Sequence, residues 1–467
     1  MIAPHVRAYH TQLRQLLTHH ADAIAHQTGF VRRRSPLTGS LFVLTLIQTI
    51  FQDTRRSLLS YTAMLATLAP GVRISPQAFD QRVTSAAVAM LRALFAHVLA
   101  LRAPIRPAQR QLLDQFSSVK IIDSTTMPLP EPLATQFAGV GGKASRAAAK
   151  ALVTLEWREG SLDDIEFVDG RTPDQGLGMR ALAGAPEATL WLFDLGFWSC
   201  RFLSAIAEAK SWFVCRLQPR VTVREIVDAQ LRPVDVEAWL GREVTTTWCA
   251  RDVVLGTGAQ QVRCRLVAVQ VPKAVADERR RKLRRAAQKQ GRQLQKSTLI
   301  RQGYTLMVTN TSAEQLAAEV LEEIYRIRWQ IELLFKLAKS DAGLTQARSA
   351  KADRALCELY AVWIAVVVVM QVRRLVAERV EEVSAVKLWR RMKGAAVAWG
   401  KAMARGAGAG ALAQLIEHVA RYVRPTKRRA TPSTHDRIVA LDCGDAPEPV
   451  PPPPSPAGPS RARACLA

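Results

Sequence analysis

Residues 321–343, LEEIYRIRWQIELLFKLAKSDAG, decide how the whole chain is interpreted. The stretch has no proline and no glycine before Gly343, and its apolar residues recur at helical spacing, so it predicts one helix. At about 100° per residue, one stripe of that helix, roughly 60° wide, carries an acid, two bases and a phenol. These residues are Tyr325, Arg328, Glu332 and Lys339.

The neighbouring arc of the same helix is apolar and is expected to pack on the core. It carries Ile327, Ile331, Leu334 and Ala338. A core-packed helix that directs a carboxylate and two cations the same way can serve a metal ion and a phosphodiester. A solvated face with an Arg328–Glu332 ion pair explains the spacing equally well.

Two short apolar runs upstream each end in an aspartate. The run SSVKII leads to Asp123, and EATLWLF leads to Asp194. Each run predicts a buried strand that ends at its carboxylate, and ligand sites in α/β folds gather at such ends. An aspartate after a strand is also a common turn former or helix cap, and either aspartate alone favours that interpretation.

Together, the three acids and the helix resemble the DDE transposases of the insertion-sequence-4 family. The family signature on the third-acid helix is Tyr, two residues, Arg, three residues, Glu, six residues, Lys, and every spacing is intact here. Asp123 matches the first acid, and Asp194, followed by Gly196 and Phe197, matches the second. The resemblance covers roughly residues 120–343.

One position departs from the family pattern. Leu195 stands where many members carry arginine after the second aspartate. The departure puts one phosphate contact in doubt but leaves the three acids intact.

The resemblance implies cut-and-paste transposition of an insertion sequence: nicking at the element ends, donor release (in several members through a DNA hairpin) and strand transfer into target DNA. It implies a homodimer acting on two paired ends of double-stranded transposon DNA. Asp123, Asp194 and Glu332 would be catalytic and would hold Mg²⁺, for which Mn²⁺ can substitute. Tyr325, Arg328 and Lys339 would contact DNA phosphates, and Tyr304 would stack on a flipped base.

The charge balance points to the same class of partner. The 467 residues include 65 Lys and Arg against 40 Asp and Glu, a formal net charge of +25. Such a surplus attracts polyanions and suggests nucleic acid, although ribosome-associated and anionic-membrane proteins share it. No histidine lies between His97 and His418, so a metal in this region must rely on carboxylate oxygens, which suits Mg²⁺ or Mn²⁺ better than zinc.

No targeting or membrane segment is expected. The N-terminus lacks the apolar core of a signal peptide, and the longest apolar run, residues 359–370, is too short to span a bilayer and predicts a buried helix or strand. The seven cysteines show no C-x-x-C spacing, which indicates reduced thiols. A bacterial cytoplasmic, nucleoid-associated protein without a membrane partner is expected.

The chain divides into four regions by pattern, and its fold class is α/β. Three strands, a crossover helix and the Asp194 strand follow the order of a ribonuclease-H-like core, which the family also has. Long insertions usually form their own structure, and here β-rich runs follow Asp194. The regions are a helical, DNA-end-binding segment (1–108) containing a helix pair at 76–82 and after Thr84; the catalytic domain (109–345) with a β-rich insertion at about 198–300; a C-terminal helical region (346–425); and a basic, Pro-rich disordered tail (426–467).

A basic segment lies inside the insertion. Residues 273–300 predict one long helix that holds nine Lys or Arg and no acid between Arg279 and Lys296. Such density repels itself unless phosphates neutralise it, so we expect DNA-backbone contact rather than a merely solvated face. The contact residues expected here include Arg280, Arg281, Arg284 and Arg285.

Two other functions remain open. A ribonuclease-H-like nuclease would use the same three acids without joining strands. A catalytically inactive, DNA-binding relative of a transposase would explain the charge equally well, but nothing would then require all three acids.

Overall fold

The chain is described as a computed structural model that covers residues 2–52, 56–104, 111–142, 144–242, 247–258, 260–345, 349–378, 383–422 and 434–442. It divides into two compact units. Unit 1 comprises Met1–Trp212 and Arg326–Arg428, and unit 2 comprises Phe213–Tyr325 and Arg429–Ala467.

The helices and strands follow one another in a mixed α/β order. The helices are α1 (Pro4–Gln15), α2 (Ala21–Gln27), α3 (Gly39–Gln52), α4 (Leu58–Leu68), α5 (Pro76–Arg82), α6 (Ser85–Ala100), α7 (Asp174–Leu182), α8 (Cys200–Glu208), α9 (Val236–Arg242), α10 (Lys273–Lys289), α11 (Lys296–Arg301), α12 (Leu321–Arg326), α13 (Trp329–Lys336), α14 (Ala352–Ala377), α15 (Ala385–Ala404), α16 (Ala409–Tyr422) and α17 (Thr434–Asp442). The strands are β1 (Ser118–Leu129), β2 (Ala147–Glu156), β3 (Ser161–Asp169), β4 (Thr189–Leu192), β5 (Trp212–Arg216), β6 (Val223–Val227), β7 (Gln230–Pro233), β8 (Trp248–Leu255), β9 (Val262–Gln270) and β10 (Tyr304–Thr309).

The helix pair α5–α6 confirms the prediction for residues 76–82 and after Thr84. Ser75 caps α5 by accepting a hydrogen bond from the Ala78 N–H at 3.1 Å, and Pro76 begins the helix. The two helices are bent 67° relative to each other. That angle is smaller than the roughly 90–120° of a helix-turn-helix unit.

The sheet of unit 1 has the strand order β3-β2-β1-β4. Strands β1, β2 and β3 are mutually antiparallel, and β4 runs parallel to β1. The predicted chain order of three strands, a crossover helix (α7) and the Asp194 strand is confirmed. Every residue of β2 is buried, and β1 and β3 pair with its two edges.

Strand β1 does not end at Asp123, and that prediction is wrong. The strand continues to Leu129, and Thr125, Met127 and Leu129 are buried along the extension. The extension pairs with β2 from Ala147 to Leu152. Only the parallel pairing with β4 stops early, at Ile121.

Residues 321–343 do not form one regular helix, which corrects the prediction. Helix α12 ends at Arg326 and α13 begins at Trp329, and a π-helical segment, Leu337–Asp341, follows. The N–H groups of Gln330 and Ile331 bond to the carbonyls of Ile327 and Arg328, three residues back, so the turn is tighter than α. The predicted apolar face is nonetheless buried, with Ile327, Ile331 and Ala338 at 0% exposure.

Helix α14 forms the centre of unit 1. It packs against α3 and α6, which precede it in the sequence, and against α15 and α16, which follow it. Its length and hydropathy would suffice to cross a membrane, but 94% of its most apolar window is buried inside the structure. The prediction of a buried helix or strand at residues 359–370 is therefore confirmed as a helix.

Unit 2 contains an antiparallel sheet of order β5-β10-β9-β8-β6-β7. The predicted long helix over residues 273–300 is wrong as a single element. It is divided into α10 and α11 at Gly291, which adopts φ +61°. A left-handed glycine of this kind commonly ends a helix.

The predicted disorder of residues 426–467 is wrong in part, because Thr434–Asp442 form α17. Within unit 2, buried Arg437 pairs with buried Glu323, and Ile438 is fully buried. These buried contacts stabilise α17 although the segment is largely polar. Residues 443–467, including the Pro-rich segment, lie outside the described residues.

Glu156, at the end of β2, predicts a pH dependence of stability. The carboxylate accepts hydrogen bonds from the N–H groups of Val119 and Arg158 at 3.3 and 3.1 Å, yet burial raises its pKa from 4.5 to about 7. Between those values the folded chain keeps a proton that the unfolded chain loses, so stability falls as pH rises. We expect a loss of about 3 kcal/mol from pH 4.5 to pH 8.

The control variant is Glu156→Gln, which stays neutral at every pH. Urea unfolding at pH 5 and pH 8, in metal-free buffer, measures the difference. Wild type should lose more stability than the variant between the two pH values, and equal losses would contradict the assignment.

Candidate active site

Asp123 lies inside β1, two residues beyond the end of the parallel pairing with β4. Its side chain is 17% exposed. The backbone N–H of Ser124 donates a hydrogen bond to its Oδ1 at 2.7 Å. The antiparallel pairing with Val153 of β2 fixes the backbone here, so the first predicted acid stands on a rigid element.

Asp194 follows β4 by two residues and lies in a turn. The N–H of Gly196 donates to Asp194 Oδ1 at 2.8 Å. Phe193 and Phe197, on either side of the turn, are fully buried and anchor it. A Cβ at position 196 would lie only 3.0 Å from Asp194 Oδ1, so a larger residue would crowd this carboxylate.

Arg328 bridges the first and third predicted acids. Its Nη1 lies 3.4 Å from Asp123 Oδ2, and its Nη2 donates to Glu332 Oε1 at 2.8 Å. The turn between α12 and α13 carries Arg328, and α13 carries Glu332 one turn later. The ion pair predicted for a merely solvated face therefore exists, but it also reaches an acid on β1.

Burial and neighbouring charges shift the pKa values of Asp123 and Lys339. Burial raises the pKa of Asp123 to about 7, and the negative charges of Asp194 and Glu332 raise it as well, against the opposing effects of the Ser124 N–H and Arg328. Lys339, in the π-helical segment, has its pKa lowered by burial, and Asp123 opposes that shift. Three acids and two bases are thus electrostatically coupled around Asp123.

The donor chemistry of this cluster fits a hard divalent cation, because all three acids offer carboxylate oxygens. Burial and the negative charges of Asp194 and Glu332 raise the pKa of Asp123, and a cation would offset both effects. Within the described ranges, no three His, Cys, Asp or Glu side chains stand close enough to form a ligand set. The Arg328 guanidinium lies between Asp123 and Glu332 and contacts both.

The other predicted DNA-contacting residues belong to unit 2. Tyr325 is 8% exposed, and the Arg216 guanidinium lies 5.7 Å from its ring centre. Tyr304 begins β10 and donates its hydroxyl hydrogen to the Leu240 carbonyl at 3.0 Å, a packing contact. The phosphate and base-stacking roles of these tyrosines stay predictions.

The predicted basic residues lie on α10. Arg280 pairs with Asp277 at 3.1 Å and donates to the Leu299 carbonyl, while Arg281, Arg284 and Arg285 are exposed. Lys282 pairs with Glu278, so acids just before the basic run neutralise part of it. Arg280, Arg284 and Lys296 help line a cavity of about 460 Å³ between α10 and α11.

Sequence reasoning missed three residues beside the acids. Lys150, in β2, donates to Asp174 Oδ1 at 2.9 Å, and the Ser124 hydroxyl donates to the same oxygen at 2.8 Å. One signal was visible: Lys150 is the only charged residue before Glu156 in the apolar strand AAAKALVTLE. In the sequence, Asp174 resembles any acid in the first turn of a helix, a position that favours negative charge, so it gives no separate signal.

Comparison with known proteins gives a family match and distant relatives. The profile of the transposase DDE domain matches residues 114–368. The chain is 24% identical over 368 residues to the transposase for insertion sequence element IS231B of Bacillus thuringiensis subsp. berliner, covering 76% of this chain and 77% of that one. It is 22% identical over 360 residues to the transposase for IS1151 of Clostridium perfringens, covering 73% and 74%.

A solved structure is also similar. The piggyBac transposase, in its synaptic complex with hairpin DNA, aligns over 91% of this chain and 88% of its own, at 12% identity and a TM-score of 0.46.

Proposed function

The chain belongs to the transposase DDE domain family and is an enzyme that acts on DNA, and from that premise we propose that it moves an insertion sequence by cut-and-paste transposition. One observation carries the proposal: Asp123, Asp194 and Glu332, from three separate elements, are coupled around one buried carboxylate. The spacing of Arg328, Glu332 and Lys339 further favours the insertion-sequence-4 type.

The proposed catalytic domain is ribonuclease-H-like and spans residues 109–345. The order and directions of β1 to β4 with α7 as the crossover support this assignment. The antiparallel strands β6 to β9 support a β-rich insertion at about residues 198–300. Residues 1–108 are proposed to bind the transposon end, and residues 346–425 to support the catalytic domain.

The proposed cofactor is Mg²⁺, for which Mn²⁺ can substitute, and Asp123, Asp194 and Glu332 would hold it. When bound, it would activate the attacking oxygen and stabilise the leaving oxygen. Arg328 must then release at least one carboxylate, and its planar fork becomes available for a DNA phosphate. Lys339, half-buried beside Asp123, supplies a point charge to the same phosphate.

A cleavage and joining assay tests the proposal. Purified protein, Mg²⁺ and labelled DNA carrying the ends that flank its gene are combined with target DNA. Cutting at the ends followed by joining supports the transposase. Cutting without joining favours a ribonuclease-H-like nuclease, and binding without cutting in either Mg²⁺ or Mn²⁺ favours an inactive DNA-binding relative.

The exposed arginines of α10 predict a salt-dependent contribution to DNA binding. We expect Arg284→Glu combined with Arg285→Glu to weaken duplex binding at least about tenfold. It should also reduce the slope of log K against log salt by about 2, one for each lost phosphate contact. Fluorescence anisotropy across a salt series measures both quantities.

A matched control changes the same net charge elsewhere in unit 2. Arg220 and Arg232 are exposed, and Arg220→Glu with Arg232→Glu should leave the salt slope nearly unchanged. If the two double variants weaken binding equally, net charge rather than α10 is responsible.

The N-terminal region offers a second basic surface for the proposed end binding. A cavity of about 600 Å³ is lined by Arg32, Arg33, Arg34 and Arg82, together with the start of α6. Arg82 is fixed there, since it donates to the Phe30 carbonyl at 2.9 Å and lies over the Phe30 ring. Its size and charge suit a phosphate of the DNA backbone.

We propose further that the enzyme works in the bacterial cytoplasm, at the nucleoid, as a homodimer that pairs two transposon ends before joining them to target DNA. The formal charge of +25 supports association with DNA.

A further inference from the structure

Lys150 is a charged side chain in a strand whose ten residues are all buried. Its ammonium group donates to Asp174 Oδ1 at 2.9 Å and also to the Thr172 carbonyl. Placing a cation in such surroundings is costly unless a partner compensates for it. Asp174, on the first turn of α7, is that partner and is held in place by it.

Asp174 also touches the segment that carries the first acid. The Ser124 hydroxyl donates to Asp174 Oδ1 at 2.8 Å, while the Ser124 N–H donates to Asp123 Oδ1 at 2.7 Å. Because neighbouring residues of a strand face opposite sides, Asp174 reaches β1 from the face opposite to Asp123. Ser124 thus links the two carboxylates through one residue.

The second oxygen of Asp174 faces the segment that carries the second acid. A Cβ added at Gly196 would lie 3.3 Å from Asp174 Oδ2 and 3.0 Å from Asp194 Oδ1. The Gly196 N–H in turn donates to Asp194 Oδ1 at 2.8 Å. The carboxylates of Asp174 and Asp194 therefore both lie beside the face of Gly196 that a side chain would otherwise occupy.

We propose that Asp174, fixed by Lys150, is a positioning residue that sets the distance between Asp123 and Asp194. The inference rests on the proposed function, since that distance matters only if the two acids share a divalent cation. Asp123 and Asp194 repel each other, so a contact that ties both of their segments to one point opposes their separation. Lys150 neutralises Asp174, which therefore adds no net charge beside the acids.

The test measures binding of Mn²⁺ alone to the full chain, without DNA, by titration calorimetry or electron paramagnetic resonance. Asp174→Asn keeps the size of the side chain and an acceptor for Ser124 but removes the charge that holds Lys150. We expect Mn²⁺ affinity to fall about tenfold, as for other partners of metal ligands. Metal-free binding to duplex DNA should change less than about twofold, because no phosphate contact is removed.

A second ion pair in the same sheet supplies the control. Lys120 and Asp163 lie 3.1 Å apart, with side chains 12% and 23% exposed, against 10% and 28% for Lys150 and Asp174. Asp163 also pairs with Arg102, so Asp163→Asn should cost at least as much stability. Mn²⁺ affinity should be unchanged in Asp163→Asn, and an equal loss in both variants would overturn the inference.

Three further variants test the proposal if Asp174→Asn folds poorly. Ser124→Ala removes one hydrogen bond and should weaken Mn²⁺ binding about threefold, as loss of a single contact in a coupled network does. Lys150→Arg keeps the charge and should retain more affinity than Lys150→Met. If wild type binds Mn²⁺ and all these variants bind equally well, the positioning role fails while the proposed function stands. If wild type binds none, both fail.

Discussion

Glu332→Gln is expected to lower the rate of end cleavage by about a thousandfold, with strand joining lost to the same extent. Glutamine keeps the length of the side chain and can still accept the hydrogen bond from Arg328, whose Nη2 lies 2.8 Å from Glu332 Oε1. It removes one negative charge from the coupled carboxylates, and a hard cation needs that charge as well as the oxygen. Binding to duplex DNA without metal should stay within about twofold.

The comparison requires a variant that loses a carboxylate charge in the same stretch of sequence. Glu322, in α12, provides it, because Glu322→Gln makes the same chemical change ten residues earlier. Cleavage of labelled ends by Glu322→Gln should match wild type. If Glu332→Gln cuts and joins at the wild-type rate, Glu332 is not a member of the catalytic set, and the transposase assignment loses its third acid.

Arg328 is expected to give opposite effects on metal binding and on catalysis. In Arg328→Gln the cation between Asp123 and Glu332 is absent, so no guanidinium competes with Mn²⁺ for these oxygens, and Mn²⁺ affinity at pH 8.5 should rise about threefold or more. The cleavage rate should nonetheless fall about a hundredfold, because the bidentate phosphate contact is lost. Arg328→Lys keeps the positive charge but lacks the planar guanidinium. Its Mn²⁺ affinity and its cleavage rate should therefore lie between those of wild type and Arg328→Gln.

Whether Mn²⁺ affinity rises or falls in Arg328→Gln depends on the pH of the experiment. Arg328 lowers the pKa of Asp123, so its removal moves that pKa above its present value of about 7 and lets a proton compete with the metal near neutrality. Mn²⁺ binding should therefore tighten at pH 8.5, where protons compete less with the metal for Asp123, and improve less or worsen at pH 6.5. Parallel losses of Mn²⁺ affinity and cleavage at pH 8.5 would mean that Arg328 merely maintains the shape of the site.

The sequence predicted best those elements whose ends are marked by neighbouring residues. Ser75 and Pro76 mark the start of α5, and β1, β2 and β3 follow one another in the predicted order. Strand β1 was predicted too short because Asp123 and Ser124 look like a turn, whereas the partner strand β2 continues past them. Register with a distant strand outweighs local turn preference here.

The break at Arg328 and the contacts of Asp174 depend on tertiary structure. A regular helical wheel groups Tyr325 with Glu332, but α12 ends at Arg326 and α13 begins at Trp329, so one helix does not carry both residues. Asp174 meets Ser124 fifty residues away in sequence, and no spacing rule relates them. The sequence singled out Asp123, Asp194 and Glu332 as acids for one proposed site, whereas it gave no sign that Ser124 and Asp174 are in contact.

The division of unit 1 into two stretches has a consequence for synthesis. Asp123 and Asp194 belong to its first stretch and Glu332 to its second, and all of Phe213–Tyr325 is translated between them. Domains fold as their residues leave the ribosome, N-terminal parts first. The early helices α3 and α6 must therefore wait for α14 to cover their apolar faces. A nascent chain holds Asp123 and Asp194 long before Glu332 is made, so an interrupted translation product lacks the third acid of the proposed site.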